Sequence, residues 1–188
     1  QSTSMHCHPK KNTGLIVLDG SAEVSFLKNK IPLKGVDKIM IFRGRFHSTE
    51  ALSEQGAYIL EVECPQDKHD LVRLYDNYGR ENKPYEGKKF EVPKDDSCIW
   101  FEDPQGQAKN RYDFCNCEIK IENITDISEL QNRIYDEAIV ILRGGLISKK
   151  NDEIVQKGDV IAGHTINKLA NYFGVDEKTT ILSVRRKP

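Results

Sequence analysis

The sequence predicts an α+β fold: a mainly antiparallel twisted sheet or partly open small β-barrel, followed by a helix–hairpin–helix–strand segment. The first observation is that every second residue is apolar in three consecutive stretches within Lys38–Asn77. This period is typical of antiparallel strands with one face in a core and the other in water. The second observation is an apolar stripe at helical spacing over Asp126–Ala138, where Asp126 and Glu129 have capping-box spacing.

Length and composition limit the possible classes of protein. A chain of 188 residues forms one sizeable domain or two small ones. With 28 basic and 29 acidic residues the net charge is −1, so any nucleic-acid site has to be a local patch. No apolar run approaches the ~18 residues of a membrane span. The odd count of 5 cysteines favours reduced thiols and an intracellular protein, with a secreted or envelope protein as the alternative.

The first half of the chain reads as strands joined by short turns. Gly14–Leu18 and Ala22–Leu27 are apolar stretches, and Asp19-Gly20 between them is a strong hairpin signal. The expected organisation is a flexible N-terminus or tag scar over residues 1–13, a β-rich domain over 14–122 and a smaller α+β segment over 123–188. The last segment is expected either to stand apart or to share the same core.

Helices are predicted in the second half of the chain. Beyond the helix at Asp126–Ala138, a hairpin is predicted from Glu153–Val155 and Asp159–Ala162, and a second helix over Thr165–Phe173. A last strand is predicted over Thr179–Val184, which is rich in β-branched residues.

The stretch Thr165–Asp176 also resembles the first helix and turn of helix-turn-helix DNA-binding families. That resemblance implies a recognition helix immediately afterwards. Thr179–Val184 is strand-like instead, so the element that would enter the major groove is missing. We therefore predict only an amphipathic helix that ends at Gly174.

The polar face of the alternating strands is the first candidate for a ligand site. It carries Arg43, Arg45, His47, Glu61, Glu63, Arg73 and Tyr75. Cross-strand charge pairs account for part of this set, such as Arg43 with Glu61. Arg45, Arg73 and Tyr75 have no assigned acidic partner, and arginine beside an aromatic ring suits single-stranded nucleic acid.

A long polar loop is predicted between Asn77 and Asp96, and long loops are often binding loops. Its aromatic and cationic residues complete the predicted ligand-binding set: Tyr78, Arg80, Lys83, Tyr85, Lys88 and Lys89. The favoured function is a non-enzymatic binding module. Its expected partner is a single-stranded nucleic acid or a protein segment added at a sheet edge.

Two alternatives remain open. One is an enzyme with a loop-borne site of acidic residues and histidines, built from Asp95, Asp96, His47 and His69. The other is a secreted or envelope protein with a structural or interaction role. A disulfide joining Cys64 or Cys98 to the Cys115/Cys117 pair would favour it.

Neither a metal nor a cofactor is expected. His6-Cys7-His8 and Cys115-Asn116-Cys117 each leave one residue between their donors, whereas structural zinc sites favour gaps of two to four. The first cluster also lies in the segment predicted to be flexible. Glycine-rich phosphate loops, nucleophile elbows and the His-Glu-x-x-His motif do not occur in the sequence, so no catalytic residue is predicted.

Overall fold

A computed structural model describes residues 1–75, 79, 101–104 and 110–187. The described chain is mostly β. Its strands are β1 (Met5–Cys7), β2 (Asn12–Asp19), β3 (Ser21–Phe26), β4 (Lys30–Lys34), β5 (Lys38–Ile41), β6 (His47–Ala51), β7 (Tyr58–Cys64), β8 (Val72–Tyr75), β9 (Arg111–Phe114), β10 (Cys117–Ile124), β11 (Ala138–Arg143), β12 (Leu146–Ile147), β13 (Glu153–Val155), β14 (Val160–Ala162), β15 (Gly174–Val175) and β16 (Thr179–Arg186). The described helical elements are a 3₁₀ helix, Ile127–Leu130, and α1, Gly163–Leu169.

The strands form four sheets. Sheet A has the order β4-β3-β6-β1-β8, and sheet B has the order β5-β2-β7. Sheet C has the order β14-β11-β16-β10-β9, and sheet D has the order β13-β12-β15. All the strand pairs are antiparallel. From β4 to β8, consecutive strands alternate between sheets A and B, so the chain winds around one interior.

Strand β2 shows why the sheets stack in layers. Leu15 and Val17 on one of its faces pack against sheet A, where Val24 and Phe26 meet them. Ile16 on the opposite face packs among residues of sheet C. A strand that is apolar on both faces is buried on both. We call sheets A and B the N-terminal sandwich, and sheets C and D the C-terminal sandwich.

The two sandwiches meet where sheet B contacts sheet C. Gly14 of β2 lies against Val160 of β14, and a Cβ atom at position 14 would overlap the Val160 side chain. The absence of a side chain at this position therefore sets how closely the two sheets approach.

The predicted α+β fold is wrong. Over Asp126–Ala138 the capping box of Asp126 and Glu129 does form, but it starts only the four-residue 3₁₀ helix. The backbone N–H of Arg133 then donates to Asn167 Oδ1 at 2.9 Å, so a contact distant in sequence replaces the next helical turn. Ile134, part of the predicted apolar stripe, is 47% exposed. The second predicted helix exists as α1, which ends at Leu169.

Both predicted hairpins are sheet-to-sheet crossings instead. Asp19-Gly20 joins β2 of sheet B to β3 of sheet A, with Gly20 at a φ of 75°. Gln156-Lys157-Gly158 likewise takes the chain from β13 in sheet D to β14 in sheet C. A tight turn reverses the chain direction, but it does not require the two strands to pair.

The alternating strands do not form one consecutive sheet. Strands β5 and β7 both pair with β2 and lie on either side of it, while β6 and β8 lie in sheet A. The predicted polar face is therefore divided between two sheets. The predicted last strand does form, within β16. The predicted boundary at residue 122 falls within β10, and the division into two domains stays a prediction.

Candidate metal centre

Three histidines converge inside the N-terminal sandwich. His6 lies in β1 and His8 directly follows it, so their one-residue gap places both side chains on one face. His47 opens β6 and is the register partner of His6. One ring nitrogen from each of the three lies within 4.8 Å of the others. His6 is partly exposed, and His8 and His47 are buried.

Each of these imidazoles is held by a backbone carbonyl. A carbonyl only accepts hydrogen bonds, so each Nδ1 carries the proton and each Nε2 of the neutral ring has a free lone pair. The Nδ1···O distances are 2.7 Å from His6 to Ser4, 2.6 Å from His8 to Asp70 and 3.0 Å from His47 to Arg45. This is the arrangement in which a histidine presents Nε2 to a metal ion.

Burial keeps the three rings neutral. It lowers the pKa of His6 and of His8 below the usual value, and it lowers the pKa of His47 to about 4. The Nε2 atom of His8 is buried and has no hydrogen-bond partner among the described residues. A buried acceptor without a partner is costly, and a bound cation would satisfy it.

A carboxylate and an ammonium group lie beside the histidines. Glu63 Oε1 is 3.5 Å from His8 Nε2 and 2.7 Å from Lys11 Nζ. The Lys11 side chain is only 2% exposed, so its charge depends on Glu63 for compensation. The Asp70 carboxylate accepts hydrogen bonds from the backbone N–H groups of Lys10 and Lys11, which fixes the loop that carries Lys11.

The histidines border a cavity of about 600 Å³ between sheets A and B. His6 and His47 form part of its wall, and Glu61 of β7 faces them from sheet B. The volume is within the range of small-molecule sites. Glu61 is exposed, and partial desolvation together with the nearby charge of Glu63 raises its pKa.

The donor set fits a divalent transition metal. Neutral imidazole nitrogens suit zinc, copper, iron and nickel. Three protein nitrogens leave at least one coordination position for water or another ligand, as in catalytic rather than structural sites. The unpartnered Nε2 of His8 and the three fixed tautomers are the observations of this structure that support the fit.

Of the residues predicted to bind a ligand, the structure describes Arg45, Arg73 and Tyr75. The Arg45 guanidinium lies over the Phe26 ring, 4.3 Å from its centroid. Arg73 is the register partner of His6 in the β1–β8 pair, and Tyr75 at the end of β8 is 51% exposed. The predicted loop residues lie outside the described residues: Tyr78, Arg80, Lys83, Tyr85, Lys88 and Lys89.

The residues of the alternative enzyme site are separated as well. His47 belongs to the histidine cluster, whereas His69 lies in the loop before β8. Asp95 and Asp96 lie outside the described residues.

The sequence contained a signal for this centre. His6-Cys7-His8 has the spacing that a strand needs to present two donors, but its third partner, His47, is distant in sequence. Cys7 alternates to the opposite face and is buried. Cys117 is buried between sheets B and C, where its Sγ donates to the Leu18 carbonyl, so it does not join the histidines.

The described cysteines are free thiols: Cys7, Cys64, Cys115 and Cys117. Cys98, the fifth, lies outside the described residues. Among the residues that the structure describes, no helix has the length and apolarity needed to cross a membrane.

Comparison with known proteins gives similarity only at the level of solved structures. No protein-family model and no curated protein sequence matches the chain. A variant of the oxalate decarboxylase OxdC from Bacillus subtilis is 15% identical, with a TM-score of 0.37, and the match covers 99% of this chain and 66% of that chain. The sugar ketoisomerase QdtA from Thermoanaerobacterium thermosaccharolyticum is 21% identical, with a TM-score of 0.34, over 42% of this chain and 61% of that chain.

A third similar structure is an uncharacterized protein with a double-stranded β-helix domain from Klebsiella pneumoniae. It is 23% identical, with a TM-score of 0.33, over 35% of this chain and 54% of that chain. This chain therefore spans between about half and two thirds of the length of the three proteins.

The prediction of a non-enzymatic module for single-stranded nucleic acid or a protein segment is wrong. Among the similar solved structures, the oxalate decarboxylase and the sugar ketoisomerase are enzymes. The polar face on which the prediction depended is also divided between sheets A and B, so it does not form one stacking platform.

Proposed function

We propose that this chain is a metal-dependent enzyme for a small molecule, with a divalent transition-metal ion bound by His6, His8 and His47. One observation carries the proposal: three Nε2 lone pairs converge, and each ring is held by a carbonyl at its Nδ1. The adjoining cavity supports a small-molecule ligand rather than a purely structural ion.

The residues around the histidines have separate roles in this proposal. An ion held by His6, His8 and His47 would supply Lewis acidity to an oxygen atom of a ligand in the cavity. Glu61, whose pKa is raised by desolvation, is placed to accept or return a proton from a ligand in the same cavity. Glu63 supplies negative charge beside His8, and its ion pair with Lys11 offsets part of that charge.

Metal titration tests the proposal directly. The purified protein is stripped with a chelator and titrated with Mn²⁺, Co²⁺, Ni²⁺ and Zn²⁺ by calorimetry, and Co²⁺ binding is also followed by visible absorption. We expect saturation at one ion per chain. His8→Ala should weaken binding by more than about tenfold, because even outer-shell changes cost that much.

His164→Ala is the matched control. His164 Nδ1 donates to the Tyr135 carbonyl, and the ring stacks on the Tyr135 ring, far from the cluster in sequence and outside it in the structure. Circular dichroism establishes that both variants fold. Equal weakening in the two variants, or no saturable binding by the unmodified protein, would exclude the proposed centre.

A further inference from the structure

The described wall of the cavity lacks lysine and arginine altogether. It contains two carboxylates, Glu54 and Glu61, together with the hydroxyl groups of Thr49, Ser53 and Tyr58. The nearby ammonium group of Lys11 is not part of the wall and is neutralised by Glu63 at 2.7 Å. A small dianion entering this space would meet two carboxylates and, apart from an ion held by the histidines, no cationic side chain in the described wall.

The positions of these groups follow from the strands. His47, Thr49 and Ala51 alternate along β6 and face the cavity, while Glu61 faces it from β7. Hydrogen-bond acceptors therefore line both sheets, and the histidines lie at one part of the wall. A ligand rich in hydroxyl groups matches this surface, because each hydroxyl can donate to a carboxylate and accept from a side-chain hydroxyl.

We propose that the cavity binds an uncharged polyhydroxylated small molecule, a sugar or cyclic polyol, with the Glu61 carboxylate accepting hydrogen bonds from its hydroxyl groups. This inference rests on the proposed function, because it assigns a substrate class to the cavity beside the metal centre. Charge-assisted hydrogen bonds are about twice as strong as neutral ones, so Glu61 determines much of the affinity.

Ligand-observed saturation-transfer NMR tests the inference with three kinds of neutral probe, namely pentoses, hexoses and cyclitols, and with succinate as a dianion. Putrescine is added as a dication. We expect saturation transfer to neutral probes and none to succinate. Glu61→Gln should weaken the best neutral probe by about tenfold, the loss expected for one hydrogen bond to a charged group.

Glu50→Gln is the matched control, because Glu50 alternates with Thr49 and Ala51 on β6, is exposed and does not line the cavity. Both variants lose one negative charge without a change in size. An equal effect in both variants, preference for succinate or putrescine, or no binding of any neutral probe would overturn the inference.

The NMR measurement is made on chelator-treated and on metal-loaded protein, and the comparison separates the polyol inference from the proposed metal centre. Neutral probes that bind a protein unable to bind metal would leave the polyol inference standing and exclude the metal centre. Metal binding without binding of neutral probes would have the opposite meaning.

Discussion

The two sandwiches share a layered construction but differ in what lies between their sheets. Between sheets C and D the interior is filled with branched aliphatic side chains, among them Ile139, Ile141 and Ile181. Between sheets A and B an apolar cluster occupies part of the interior, and the rest is the cavity bordered by His6 and His47. The size and polarity of the inward-facing residues thus decide whether such an interior is a core or a site.

The buried polar groups make the same contrast. In the C-terminal sandwich the Arg133 guanidinium lies 2.8 Å from Glu122 and 3.8 Å from Glu137, and Lys120 also pairs with Glu122. These groups satisfy one another. The N-terminal sandwich also has a buried ion pair, Lys11 with Glu63 at 2.7 Å, but there the Nε2 of His8 has no hydrogen-bond partner among the described residues. A bound ligand would satisfy such an unpartnered acceptor.

Truncating the filled interior should give the largest effect on stability. Ile181 is fully buried in β16, so Ile181→Ala should lower the free energy of unfolding by about 2–5 kcal/mol. Urea unfolding measures the loss. Thr49→Ala, in the cavity wall, is the comparison and should cost far less, because it leaves no new closed void. Equal losses would mean that the two interiors are packed alike.

The second-largest effect on stability is expected at the contact between the two sandwiches. Gly14→Ala places a Cβ against Val160, and overpacking of this kind costs about 1–3 kcal/mol. Gly174→Ala in β15 is the control, since its new Cβ has nothing closer than the Ile147 carbonyl at 4.0 Å. Thermal unfolding of both variants measures the difference. A Gly14→Ala protein as stable as the control would contradict the close approach of sheets B and C.

Removing the buried ammonium group should affect stability and metal affinity in opposite directions. Lys11→Met leaves the partly buried Glu63 without its partner, which should destabilise the metal-free protein by about 1–3 kcal/mol. The same change removes a positive charge near the histidines, so metal should bind more tightly. Chemical unfolding of stripped protein and metal titration measure the two effects. Weaker metal binding by this variant would show that Lys11 supports the centre rather than opposing the ion.

The smallest effect concerns pH dependence in the C-terminal sandwich. Burial raises the pKa of Glu137, although Arg133 and Ser183 act in the opposite direction. An acid with a raised folded-state pKa contributes stability when protonated, and that contribution is lost as pH rises through the folded-state pKa. Glu137→Gln should therefore lessen the fall in unfolding temperature above the usual pKa of glutamate.

Glu122 should titrate with the opposite sign. Burial acts to raise its pKa, but the hydrogen bonds from Arg133 and Lys120 outweigh it, and the net shift is downward. The stability contributed by Glu122 is present at neutral pH and is lost as pH falls through its folded-state pKa. Unfolding temperatures measured from pH 3 to 8 for Glu137→Gln and Glu122→Gln separate the two. Parallel profiles would contradict the assignment.

The sequence predicts strands better than it predicts their partners. Gly14–Leu18 and Thr179–Val184 lie within β2 and β16 because β-branched and apolar runs favour extended backbone locally. The alternation of apolar residues along a strand does not predict which sheet that strand joins. The pairing of β1 with β6 and β8 depends on contacts between distant segments, which no local pattern encodes.

The proposed metal centre illustrates the same limit of local sequence patterns. Alternation along a strand predicts that His6 and His8 share a face, but the gap rule for zinc loops argues against them as ligands. The capping box of Asp126 and Glu129 is correctly predicted, but the contact between Arg133 and Asn167 that ends the helix is not visible locally. The sequence therefore predicts local features such as strand alternation and helix caps, but it does not predict which distant residues come into contact.

The position of β1 within sheet A has a consequence for how the protein assembles. This strand precedes both of its neighbours, β6 and β8, in the chain, so it is synthesised well before them. His6 and His8 are therefore synthesised well before His47, and the three-histidine cluster is complete only after most of the N-terminal sandwich has been made. Metal bound by the finished centre acts only on the native state, and at a hundred times its dissociation constant it adds about 2.7 kcal/mol to the free energy of unfolding. Metal binding measured during synthesis would therefore indicate when β1 has paired with β6 and β8.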